Sequence, residues 1–182
     1  MERFPIHTID TAPEASKPAL RDLRSTFGML PNIAAVMATS PVLINSLVGL
    51  FGRVHGGNFS EAEIQILLLT NAVTNRCEWA VAFHSALALK EGIDPDDVEA
   101  MRSGRSPSGP KYAALSTLAR TLMEERGRID HDAMDRFLAV GFGKDHLLEV
   151  IAVVAASTIT NYTGNVVQPP IEAPFSEQAW RG

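Results

Sequence analysis

A single cysteine, Cys77, stands in a chain of 182 residues, so no disulfide can form within it. That usage fits a reducing compartment, and a cytoplasmic protein is expected. Charge is scarce in one respect: Lys and Arg number 16 against 21 Asp and Glu, a net charge of -5 with no basic cluster. Nucleic acid is therefore not an expected partner. Aromatics make up only 7%. The most continuous apolar run, Val150 to Ala156 behind Leu147 and Leu148, is far shorter than the roughly 20 residues of a membrane span. The opening residues lack the basic and apolar regions of a signal peptide, so no membrane partner is expected either. There is no His/Cys ligand cluster, no glycine-rich phosphate loop and no Gly-x-Ser-x-Gly elbow, so neither a metal nor a cofactor is expected. His146 and Glu149 share a helix side, but two side chains make no metal site. No stretch alternates apolar and polar residues as a strand would.

What is present reads as helix throughout. Thr11-x-x-Glu14 has the pattern of a capping box, and Leu20, Leu23, Phe27 and Leu30 follow at helical spacing. Gly28 to Asn32 breaks that helix, and a short one runs from about Pro31 to Ala38. Ser40-Pro41 starts another, a capping serine with proline in the first turn, which stops at Gly56-Gly57. Asp94-Pro95, Asp130 and Asp145 mark later helix starts. The last long helix is expected to end near Tyr162 to Gly164. Residues 104–109 are the most loop-like segment. A single domain over 1–182 is expected, with an extended N-terminal arm over about 1–11. The tail from Gln168, which holds three prolines, is expected as a C-terminal arm across a neighbouring chain.

The central stretch, Phe59 to Gly92, carries the chemistry. Ser60 and Glu63 form a capping box ahead of a run from Ile64 to Val73 that is apolar on nearly every side, the mark of a helix buried all round. Gln65, Thr70 and Asn71 are its polar exceptions. After the turn Thr74-Asn75-Arg76, a second helix begins at or near Cys77 and ends at Gly92. Residues three, four and seven apart share a side of a helix. Cys77, Ala80, Val81, His84 and Ala88 thus form one stripe, with His84 two turns from Cys77.

This stretch resembles the core of the alkylhydroperoxidase D and carboxymuconolactone decarboxylase family. Redox-active members carry a glutamate, eleven residues, a Cys-x-x-Cys pair, three residues and a histidine. Aligned without gaps, the first cysteine falls on Cys77 and the histidine on His84, whereas Ala80 and Gln65 replace the second cysteine and the glutamate. Gly28-x-x-Pro31-Asn32, Ser40-Pro41, and Ala139-Val140-Gly141-Phe142 before a helix ending in Asn161-Tyr162 extend the resemblance over about residues 12–175. It implies an all-α, alkylhydroperoxidase D-like helical bundle built around a central hairpin at about 60–91. It also implies a homo-oligomer (dimer, trimer or hexamer) and a site made of His84, Cys77 and Gln65.

In the family, the cysteine nearer the histidine attacks peroxide and its partner resolves the sulfenic acid. With Ala80 there, the two-thiol cycle is expected to be lost or altered. Three readings stay open: a peroxidase-like oxidoreductase of altered chemistry with a small-molecule pocket, a non-redox lyase using His84 as acid or base, and a catalytically silent oligomeric binding protein. Cys77 reads either as a small buried apolar residue or as a reactive thiol at a helix start. His84 reads either as a core histidine bonded to backbone or Gln65, or as the base of the stripe. Gln65 cannot titrate but can orient His84 or a ligand. The substrate is not legible.

Overall fold

The structure, a computed structural model, describes residues 4–182; the first three residues of the expected N-terminal arm lie outside it. Among the described residues there is no strand. The α-helices are α1 (Lys17–Phe27), α2 (Asn32–Met37), α3 (Pro41–Val54), α4 (Glu61–Thr74), α5 (Glu78–Lys90), α6 (Pro95–Arg102), α7 (Pro110–Glu124), α8 (His131–Ala139) and α9 (Lys144–Val167). Short 3-10 turns at Glu14–Ser16 and Ala173–Gln178 flank the set.

Helix α4 is the hub, packed against α5, α6, α7 and α9. Every residue from Ile64 to Ala72 is buried, which explains why its sequence shows no amphipathic period. Its capping box forms as the sequence implies: the Ser60 hydroxyl accepts from Glu63 N, and Glu63 Oε2 accepts from Ser60 N at 2.9 Å. Side-chain caps at Ser40, Asp94 and Asp130 also form, on Leu43 N, Asp96 N and Ala133 N. Gly92, at φ +82°, lets Ile93 N reach back to Ala88 O and close α5.

Helices α4 and α9 run parallel. Asn58, just ahead of α4, donates to Glu149 in the first turns of α9, and Asn165 near the end of α9 donates to the carbonyl of Asn75 at the end of α4. By length and composition α9 could cross a membrane. It also packs against α2, α3, α4, α5 and α7, and buries Ser157, Thr160 and Asn161 among them, the signature of a core helix.

Four expectations need correction. Thr11 caps no helix: its hydroxyl turns back to Thr8, and α1 starts only at Lys17 behind a 3-10 turn. Asp145 is not the cap of α9; Gly143 precedes the helix, with His146 Nδ1 accepting from Gly143 N at 3.2 Å. Helix α9 does not stop at Gly164 but continues to Val167 and ends on Gln168 in the left-handed region. The tail does not reach away from its own chain; it folds back over α5 and α6.

Glu172 explains the last point. One carboxylate oxygen accepts from the Trp79 indole N–H at 2.9 Å, and the other accepts from the backbone N–H of Asn32 at 2.5 Å. Helix α2 begins behind Pro31, which offers no side-chain cap, so Glu172 supplies one from the far end of the chain. Farther along, Arg102 donates to the carbonyls of Gln178 and Ala179, and the Trp180 indole donates to Arg102 O. Glu172→Ala is expected to destabilise the fold by about 1–3 kcal/mol, since charge-assisted bonds of this kind carry that weight. Urea unfolding followed by tryptophan fluorescence measures it.

Candidate functional site

The turn between α4 and α5 fixes Cys77. Arg76 takes φ +52°, and Cys77 follows in extended geometry as the N-cap of α5. Its N–H donates to Ala72 O at 3.0 Å and its carbonyl accepts from Val81 N at 2.9 Å, so the backbone is held from both helices. The thiol is wholly buried. Two influences compete there. The backbone N–H groups of Ala80 and Trp79 favour a thiolate, as helix starts do. Desolvation opposes them and is larger, and the Glu78 carboxylate adds to it, so the thiol is pushed above the ordinary cysteine range.

The sulfur is covered by α9. A Cβ placed on Gly164 would stand 2.5 Å from Cys77 Sγ and 3.3 Å from Ile33 Cδ1. Glycine at 164 is therefore a close-approach residue rather than a helix stop, and the helix runs through it. Gly164→Ala is expected to cost about 1–3 kcal/mol by overpacking. Most of that cost should disappear when Cys77→Ala is made in the same chain. A double-mutant cycle by chemical denaturation tests the contact; equal costs in both backgrounds would refute it.

Two turns along α5, His84 meets Gln65 of α4. Both are 3% exposed, and His84 Nδ1 lies 3.0 Å from Gln65 Oε1. An amide oxygen only accepts, so Nδ1 carries the proton and Nε2 holds the lone pair. Phe83 stands edge-on to the His84 ring and is itself enclosed by Trp79, Phe27 and Phe175. Burial, with a smaller push from His55, lowers the His84 pKa to about 3. The imidazole is neutral at ordinary pH.

A linkage follows from that shift. Between roughly pH 6.5 and 3 the unfolded chain binds a proton at this position and the folded chain does not. His84 therefore contributes stability that is full above its unfolded pKa and declines as pH falls through that window. The expected size is a few kcal/mol at order of magnitude, and His84→Gln should flatten the acid limb of a plot of stability against pH.

The structure thus joins Gln65 and His84 but leaves Cys77 apart. Seven residues separate Cys77 from His84 along one helix, about 10 Å. Ala80, buried between them, offers only a methyl group. A hollow of about 400 Å³ lies over the first turn of α5, lined by Arg76, Glu78, Trp79, Asn165, Gln168 and Ile171 among others. A second, of about 330 Å³ and mostly apolar, lies between α2, α3 and α9. Cys77, His84 and Gln65 line neither. Among the described residues no group of three or more His, Cys, Asp or Glu could hold a metal.

Other candidates fall where solvent or core claims them. Trp79 and Phe83 are buried, Tyr162 is 60% exposed, and Glu78 and His131 face solvent. His55 ends α3 and pairs with Glu61 at 2.9 Å. Sequence reasoning noted Asn71 only as a polar exception and did not anticipate that Asn161 is buried as well. The separation of 90 that joins Asn75 to Asn165 also places Asn71 level with Asn161. Both side chains are fully buried, and both polar atoms of the Asn71 amide and Oδ1 of Asn161 lack partners. The signal available was the oddity of asparagine in two apolar helices.

The comparisons with known proteins agree with this architecture. The model of the carboxymuconolactone decarboxylase family matches residues 33–121. Over that segment the chain is similar to the family. The match spans α2 to α7 and so contains Gln65, Cys77 and His84. No curated protein matches by sequence. Among solved structures, an uncharacterised peroxidase-related protein from Ralstonia eutropha, described as an alkylhydroperoxidase AhpD core, superposes with a TM-score of 0.84 at 15% identity, covering 95% of this chain and 93% of that one. A peroxidase-related protein from Silicibacter gives 0.79 at 15% identity, over 95% and 92%. The debrominase Bmp8 gives 0.77 at 17% identity, over 96% and 94%. At such identities these likenesses establish the all-α AhpD-like fold and not the chemistry.

Proposed function

We propose that this carboxymuconolactone decarboxylase family protein is a divergent, single-domain, cytoplasmic member that binds a small molecule and has lost the two-thiol peroxidase cycle. One observation carries the reading: Ala80 fills the place of the peroxide-attacking thiol while Cys77 lies buried under Gly164. A sulfenic acid formed anywhere on this chain would find no second thiol within it to resolve it. The Gln65–His84 pair supports the same view. With Gln65 in place of a glutamate there is no carboxylate to relay a proton, and a histidine of pKa about 3 holds none to donate at neutral pH. That also weighs against the lyase reading with His84 as acid. A fixed, neutral hydrogen-bonding pair is what remains.

The polar hollow over the start of α5 is the proposed place for the ligand. Its Arg76 guanidinium, Glu78 carboxylate and the amides of Asn165 and Gln168 suit a small polar compound, with Trp79 as an apolar wall. A substituted variant of a debrominase of similar fold has been solved with 2,3,4-tribromopyrrole.

Steady-state consumption of an alkyl hydroperoxide with a dithiol reductant tests the loss. The expected rate is no higher than that of Cys77→Ser; robust turnover that depends on Cys77 would overturn the proposal. Restoring Ala80→Cys with Gln65→Glu should raise peroxide turnover above that baseline. Ligand binding is tested separately, by quenching of Trp79 fluorescence with small carboxylates and halogenated pyrroles, using Arg76→Ala as control.

A further inference from the structure

The hollow over the start of α5 is lined by charges of both signs, and the chain itself uses neither. Arg76 and Glu78 stand two residues apart, both exposed, and among the described residues neither side chain enters a salt bridge or a hydrogen bond. Asn165 gives its side-chain N–H to the Asn75 carbonyl, which leaves its amide oxygen as an acceptor. Trp79 gives its indole N–H to Glu172, so its share of the wall, like that of Ile171, is apolar. The backbone adds a separate observation. Arg76 and Gln168, both in this lining, have φ +52°, and Arg126 is the one other described non-glycine residue in the left-handed region. At five other positions the described chain takes that conformation with glycine. Strained backbone gathers at ligand clamps, and a long side chain kept where glycine is easier points to a use for that side chain.

We propose that this hollow binds a small zwitterion of the α-amino acid type, its carboxylate on Arg76 and its ammonium on Glu78. The proposal rests on the reading of the hollow as the ligand site. A plain anion there meets the Glu78 carboxylate, and a plain cation meets the Arg76 guanidinium. A ligand of both signs answers each charge with its opposite. The guanidinium fork matches a carboxylate, and an ammonium carries donors that Glu78 and the Asn165 oxygen accept. The Cα atoms of Arg76 and Glu78 are at most about 7.6 Å apart, which favours two charges on one carbon over charges at the ends of a long chain. Trp79 and Ile171 suit an apolar side chain on that carbon.

Calorimetric titration of the full chain at neutral pH with leucine, N-acetyl-leucine and leucinamide is the test, since the three differ in which charges they carry. Leucine is expected to bind at least tenfold more tightly than either single-charge analogue. Glu78→Gln should bring leucine down to the level of N-acetyl-leucine, and Arg76→Gln to the level of leucinamide. Arg76→Gly should lose the same affinity with a melting temperature no lower than that of the wild type, because glycine relieves the left-handed backbone. Should Arg76→Gly melt earlier, Arg76→Gln alone decides the role of the guanidinium. A single-charge analogue that binds as tightly as leucine would overturn the zwitterion and leave the hollow standing as a ligand site. Leucine binding indifferent to both Arg76→Gln and Glu78→Gln would overturn the proposal as well. So would the absence of binding by all three compounds. If carboxylates and halogenated pyrroles then also leave the tryptophan fluorescence unchanged, the reading of the hollow falls with it.

Discussion

Everything in this fold depends on α4 having water on no side. A helix enclosed in this way must satisfy each polar group it carries within the protein, because an unpaired buried amide or hydroxyl costs about 1–3 kcal/mol. Thr70 finds Ser116 of α7 at 2.9 Å, and Gln65 finds His84 of α5 at 3.0 Å. Asn71 is fully buried with neither polar atom of its amide paired, and there the accounting is incomplete. Thr70 and Gln65 therefore address different neighbours. Together they set the order of helices around the hub as firmly as the leucines set their distance.

The same enclosure decides the chemistry. Helix starts favour anions, and Cys77 sits at one. Desolvation is the larger influence, and the thiol stays protonated. Histidine is the usual carrier of protons near pH 7, and His84 lies on the same helix as Cys77. Burial removes it from that range. A glutamate at position 65 could have supplied the negative charge that holds a proton on an imidazole. The glutamine cannot. Ala80 rather than a thiol and Gln65 rather than a carboxylate thus act in one direction, and both leave a more neutral centre.

Much of the fold was legible because its signals are local. Serine and aspartate before a helical period, proline in a first turn and glycine after a last one act within four residues, and Ser40, Ser60, Asp94 and Asp130 cap where the pattern implies. The errors come from contacts that no local pattern contains. Gly164 looks like a stop, but its missing side chain makes room for a sulfur 87 positions away. Thr11 and Glu14 have the spacing of a capping box, yet Thr11 is taken by Thr8. The tail looks free because its proline content forbids regular helix, whereas its anchors are single side chains reaching Asn32, Trp79 and Arg102. Gln65, Cys77 and His84 could be named from sequence. Their separation into a bonded pair and an isolated thiol could not, because helical spacing reports direction and not environment.

Glu172 has a consequence for how the chain is made. Domains acquire structure as they leave the ribosome, N-terminal parts first. Helix α2 and the indole of Trp79 emerge long before the carboxylate that both bind, and the side of α4 that α9 covers is bare until residue 167 has been added. A nascent chain of 140 or 150 residues would thus hold the α4–α5 hairpin with much of its apolar surface wet. The core of such a protein closes only once α9 and the Glu172 segment have been added, and its exposure to chaperones and proteases is concentrated before that point.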